Sequence, residues 1–145
     1  IGYQWYWGYE YPDNGNFAYE AFMVQSAEEL EEDKPYKRML TTDTKVVVPV
    51  NKIIRMQVTA ADVLHSWAVP AFGVKTDAVP GRLNETWFKA DKIGIYYGMY
   101  SELCGVNHQS MPIEIHVVTE EEFEIWVKDA KAKYASNNKL IAINK

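Results

Sequence analysis

Apolar and polar positions along this chain fall into short runs of period two, and only near the end into a stripe with helical spacing. Lys52 to Ala60 is the clearest of the first kind: Ile54, Met56 and Val58 alternate with Arg55, Gln57 and Thr59, as in a strand with one buried and one wet face. Lys45-Val-Val-Val-Pro-Val50 ahead of it is apolar throughout. Residues 1 to 11 are rich in aromatics and predict a strand with Trp5 and Trp7 on one face and Tyr6 on the other. Asp13-Asn-Gly15 predicts a turn, and Ala18 to Val24 a second short strand. Ser26 to Arg38 carries Glu28, Glu29, Glu31, Glu32 and Asp33 ahead of Pro35 and predicts an exposed loop or short helix.

Ala61 to Pro70 leads into a loop punctuated by Pro70, Pro80 and Gly81; Leu83 to Ala90, Ile93 to Tyr100 and Pro112 to Thr119 predict three more strands. His116 falls inside the last of these, on the face of Glu114, where a histidine more often packs than ligates. Thr119 can cap a helix in which Glu122 completes a capping box, with Phe123, Trp126, Val127, Ala130 and Tyr134 on the stripe facing the strands. Beyond Ser136 the tail, residues 136–145, has no clear anchor. Many short strands and one late helix predict an all-β fold, an antiparallel sandwich or barrel of the Greek-key type with a C-terminal helix.

The chain's 145 residues and 48% hydrophobic content suit a single domain spanning 1–145, and no linker or repeat divides it. A net charge of -5 speaks against nucleic acid, whose partners are basic, and suits a basic protein partner. No run reaches the roughly 20 apolar residues of a membrane helix, and no signal peptide is evident, so the chain as given reads as soluble. Its abrupt aromatic start, with no Met, predicts that an upstream part is missing. One cysteine permits no internal disulfide.

Candidate chemistry concentrates in Tyr100-Ser-Glu-Leu-Cys-Gly-Val-Asn-His-Gln-Ser-Met111, where Cys104, His108 and Met111 read as three ligands on one loop. Thiolate, imidazole and thioether suit copper far better than magnesium, calcium or structural zinc. His65, at a strand end in Asp62-Val-Leu-His-Ser-Trp67, supplies the second imidazole. Two His, one Cys and one Met form the ligand set of a mononuclear electron-transfer copper. Each residue alone would more often be packing; their joint spacing, with Gly105 for a tight turn and Pro112 ending the loop, favours the metal. A copper enzyme with an open position for substrate is the weaker reading, because no paired carboxylates, nucleophile and base, or phosphate loop accompanies it.

Four blocks carry a family likeness: Trp5-Tyr-Trp7, Asp62-Val-Leu-His-Ser-Trp-Ala-Val-Pro70, Lys75-Thr-Asp-Ala-Val-Pro-Gly-Arg82 and Ser101-Glu-Leu-Cys-Gly-Val-Asn-His-Gln-Ser-Met-Pro112. Together, and in this order, they resemble the soluble domain of cytochrome c oxidase subunit II, over residues 1 to about 130. The resemblance implies a cupredoxin-like fold, carried on two N-terminal membrane helices absent from this chain and facing the periplasm or intermembrane space. It implies a binuclear copper centre taking electrons from cytochrome c and passing them to haem in subunit I.

Carried over by residue, His65, Cys104, His108 and Met111 match side-chain ligands. Glu102 matches the residue whose backbone carbonyl meets one copper and whose carboxylate helps bind an interface magnesium. Trp5 resembles the electron-entry tryptophan, and Glu10, Asp13 and Asp62 match segments of the docking surface. The family's first bridging cysteine falls at Tyr100, preceded by Met99 where glutamine is usual, so this chain departs at a ligand. Two coppers held close need bridging anions; a phenol, hard and with a pKa of about 10, replaces a thiolate poorly. One copper is therefore predicted, with Tyr100 as ligand, neighbour or displacing ring. The change is either engineered or a natural divergence, and two adjacent departures favour engineering. The competing reading is a metal-free scaffold like subunit II of quinol oxidases.

Overall fold

In the computed structural model, residues 1–24, 41–98 and 111–143 are described, with side chains as far as residue 134. Among these residues ten strands precede one α-helix: β1 (Gly2–Tyr3), β2 (Tyr6–Tyr11), β3 (Phe17–Ala21), β4 (Val46–Pro49), β5 (Ile53–Val58), β6 (His65–Val69), β7 (Val74–Ala78), β8 (Asn84–Lys89), β9 (Gly94–Gly98), β10 (Ile113–Val118) and α1 (Glu120–Ile143). They pair as β1-β2-β3, β4-β10-β9, β5-β8 and β6-β7, with no closed barrel among the described residues.

The strands expected from alternation are present, with three differences. The first run is not one strand: the chain reverses at Gln4 and Trp5, so β1 and β2 pair antiparallel, Gly2 opposite Trp7 and Tyr3 opposite Tyr6. Trp5 thus sits at the reversal and is only half-buried, while Trp7 is buried on the inner face. The loop expected after Pro70 contains β7, a hairpin partner of β6 with Val74 opposite Val69 and Ala78 opposite His65. Finally, β4 and β10 run parallel, Ile115 opposite Val46, so the sandwich is not wholly antiparallel.

One apolar cluster joins the layers, with Trp7, Trp67, Phe17, Met111, Ile113 and Ile115 fully buried within it. In β10 the residues Ile113, Ile115 and Val117 enter this core by simple alternation. Thr119 caps α1 as predicted, its Oγ1 accepting the Glu122 N–H at 3.1 Å. The helix then lays its expected stripe on β3 and β4: Trp126 meets Tyr11, Phe17 and Tyr19, and Tyr134 stacks on Tyr19 at 5.1 Å. Two tyrosines join the sheets. Tyr11 Oη donates to Val47 O at 3.0 Å and accepts from Val47 N–H at 3.1 Å; Tyr19 Oη donates to Lys45 O at 2.8 Å. Burial pushes the Tyr11 phenol up to about 12, against hydrogen bonds that pull the other way, so it keeps its proton. Among the described residues no helix is long and apolar enough to cross a membrane.

Candidate metal centre

His65 is the first residue of β6, and Met111 stands just ahead of β10. Far apart in sequence, the two meet around one indole: Trp7 lies edge-on to the His65 ring at 5.9 Å, and its Nε1–H donates to Met111 O at 3.3 Å. Both residues are fully buried. The other expected ligands, Cys104 and His108, lie outside the described residues, as do Tyr100 and Glu102. The ends of the segment carrying them are nonetheless fixed, because Gly98 at the end of β9 pairs with Ile113 near the start of β10. Gly98 is also pressed onto β6: a Cβ there would sit 2.0 Å from Ala68 O.

The His65 ring is held in place by groups that hydrophobic pattern does not mark. Its Nε2–H donates to Asp62 Oδ1 at 2.9 Å, and the same carboxylate accepts the Gln4 N–H at 2.7 Å and the Val63 N–H at 2.6 Å. Burial pushes the Asp62 carboxyl up, but the bonds from His65, Gln4 and Val63 outweigh it and hold the group below its ordinary value. On the other side Gly2 leaves room for the ring, since a Cβ would lie 2.6 Å from His65 Cδ2. The available signal was the Asp-x-x-His spacing, which lets a carboxylate at a strand entrance reach back to an imidazole. Nitrogen at His65 and sulfur at Met111 are borderline and soft donors, a combination that fits copper and not a hard cation.

Trp5 is next in the chain to an aromatic ladder in which Tyr3 stacks on Tyr6 at 4.7 Å and Tyr6 lies tilted against Phe22 at 4.5 Å. Burial raises the Tyr3 phenol, and Glu20, Glu10 and Asp62 raise it further, which places these carboxylates around the ladder. Of these three acidic groups, Glu20 had no sequence signal. Asp13 is exposed in the turn after β2.

A second charged cluster occupies the outer face of β10. The Glu114 carboxylate, 2% exposed, accepts from His116 Nε2 at 2.6 Å, from Lys45 Nζ at 3.2 Å and from the Thr42 N–H at 3.2 Å. His116, partly exposed, is thus paired with the carboxylate two residues earlier. Burial acts to raise the Glu114 carboxyl, and His116, Lys45 and Thr42 overcome this and hold it below the ordinary range.

Comparison with known proteins agrees with this architecture. The family described as cytochrome c oxidase subunit II, periplasmic domain, matches residues 1–118. The chain is 51% identical to the probable cytochrome c oxidase subunit 2 of Rickettsia felis, over 98% of this chain and 45% of that one. It is 50% identical to cytochrome c oxidase subunit 2 of Cereibacter sphaeroides, over 90% and 48%. It therefore spans about half the length of the curated relatives it matches. The crystal structure of the periplasmic domain of cytochrome oxidase subunit II of Bradyrhizobium japonicum superposes with a TM-score of 0.79 at 56% identity, covering 90% of this chain and 89% of that one. A mixed disulfide of a thioredoxin-like protein with subunit II of cytochrome c oxidase gives 0.77, also at 56% identity, over 90% and 87%. The buried imidazole, its carboxylate holder and the sheet topology thus belong to a chain that is a member of the cytochrome c oxidase subunit II periplasmic-domain family.

Proposed function

We propose that this chain is the electron-transfer domain of subunit II, working beside subunit I on the periplasmic or intermembrane-space side of a respiratory membrane. The observation that carries the reading is the convergence of His65 and Met111 on Trp7 from opposite parts of the chain. His65 Nε2–H bound to Asp62 fixes the tautomer whose lone pair is on Nδ1, the form an imidazole needs to ligate. His65 and Met111, with Cys104 and His108 from the neighbouring segment, would hold one copper, and Tyr100 removes the second bridging thiolate that two coppers need. Copper in that set supplies a one-electron couple between cytochrome c and haem in subunit I.

The protein's own part is to fix the donors and receive the partner. Met111 is locked by core packing and Trp7, and His65 by Asp62 and the close approach of Gly2. A donor set held by strands changes little when charge moves. Trp5, Glu10, Asp62 and Glu20 form an acidic, aromatic face suited to lysines of cytochrome c, with Asp13 in the turn after β2 as a further docking residue. Loading the purified chain with copper tests the reading. One copper per chain should remain after dialysis, with thiolate-to-copper absorption and a four-line EPR spectrum that Cys104→Ser abolishes. A seven-line spectrum would refute the single-copper assignment, and loss of all copper on dialysis would leave a metal-free scaffold.

A further inference from the structure

Of the five tryptophans in the chain, Trp7 and Trp67 are fully buried in the core. Their indole N–H groups go to different partners. Trp67 donates to the Tyr9 hydroxyl at 3.3 Å, a bond within the core, whereas Trp7 donates to Met111 O at 3.3 Å and so holds the main chain of a candidate ligand. Trp7 is itself fixed from both sides, since β2 pairs it with Gly2 in β1 and with Ala21 in β3.

Met111 leans on that bond more than an ordinary strand residue would. Pro112 follows it, so the peptide joining the two offers a carbonyl and no N–H, and the proline disfavours helical backbone at Met111. Met111 is wholly buried, and a buried carbonyl without a donor is costly. Among the described residues the Trp7 indole supplies that donor.

The methionine side chain gives this anchoring its consequence. It is flexible about several bonds and ends in a soft, weak donor. A strong donor sets its own distance to a metal; a weak one sits where backbone and packing leave it. Building on the copper reading above, we propose that Trp7 is a positioning residue for the thioether of Met111: by fixing the Met111 carbonyl, its indole N–H sets how well the sulfur donates and hence the potential of the site. The same ring lies edge-on to His65 at 5.9 Å, so one side chain keeps both described donors in register. Without the N–H the Met111 main chain relaxes and donation weakens. Weaker donation favours the reduced ion, and the potential rises.

The test compares the parent with Trp7→Phe, Met111→Leu, their double variant and Trp67→Phe. Trp7→Phe and Trp67→Phe make the same truncation in one core, and each should lower the urea midpoint. Only the first should raise the copper potential, by about 59 mV, which is about a tenfold change in the ratio of copper(I) to copper(II) affinity. Met111→Leu should raise it too, and adding Trp7→Phe to Met111→Leu should change it no further, because the donor being positioned is gone. Equal potentials in the parent and Trp7→Phe, or additive shifts in the double variant, overturn the proposal. In the metal-free chain the Met111 methyl group, followed by NMR relaxation, should be rigid in the parent and in Trp67→Phe and mobile in Trp7→Phe; equal rigidity in all three overturns it as well. So does solvent exchange of the Trp7 indole N–H in the parent as fast as that of exposed Trp87, a measurement that needs no variant. A parent that holds no copper refutes the electron-transfer reading itself, while the methyl and exchange measurements still decide whether Trp7 positions Met111.

Discussion

Replacing Glu114 by leucine isolates the most deeply buried carboxylate among the described residues. The substitution leaves Lys45 Nζ and the buried Thr42 N–H without their acceptor, while His116, partly exposed, can turn to water. Removing one partner of a buried ion pair costs about 3–5 kcal/mol. The low end applies, because Lys45 is 20% exposed and still donates to Thr42 O. About 3 kcal/mol in a chain of this length lowers the melting temperature by roughly 10 °C. Replacing Lys45 by methionine in the same protein removes the stranded cation as well and should recover part of the lost stability, with the buried Thr42 N–H still unpaired.

The pH dependence gives an independent check. The folded Glu114 pKa is depressed, so its contribution is complete above the unfolded value of about 4.3 and is lost as pH falls through the lower folded value. Urea melts of the parent and Glu114→Leu should therefore differ fully at pH 7 and converge on acidification below about pH 4. Equal stability at pH 7, or a single variant no worse than the double, would refute the reasoning.

Asp62→Asn keeps the bonds from the Gln4 and Val63 N–H groups in part but loses the charged acceptor of His65; copper affinity, measured by competition with a chelator, should fall about 10–100-fold. Gly98→Ala drives a methyl group into Ala68 O and should destabilise the chain by about 3 kcal/mol in urea without altering the donor set. Thr119→Ala removes the cap of α1 and should cost about 1 kcal/mol, read as a lower urea midpoint at unchanged slope.

Much of this architecture can be read before any coordinates, wherever one face of an element is buried. The β5 alternation, the Thr119 cap and the Phe123 to Tyr134 stripe each reflect a local period, and each is realised. The hairpin of β6 and β7 escapes because Pro70, Gly73 and Pro80 resemble a loop, while the inward positions Thr76 and Ala78 are too small to show alternation. The reversal at Gln4 escapes for the opposite reason: aromatics on both sides hide the turn. Parallel pairing of β4 with β10 joins residues about seventy apart and has no local signal. At the site, His65 and Met111 stand out in the sequence by residue type and position, whereas Asp62 as the holder of the ring, and Glu20 beside the aromatic ladder, required the fold.

The phenol of Tyr11 occupies the edge of β4 as a neighbouring strand would, donating to and accepting from the same Val47 peptide. An unsatisfied edge of four apolar residues is a template for aggregation, and natural sheets block such edges with charge, proline or a covering element. Here the Tyr11 hydroxyl pairs the middle of the edge, beside Pro49 at the strand's end and under the cover of α1. A phenylalanine in its place would fill the same space while leaving the buried Val47 peptide without partners, at a cost of about 1–3 kcal/mol.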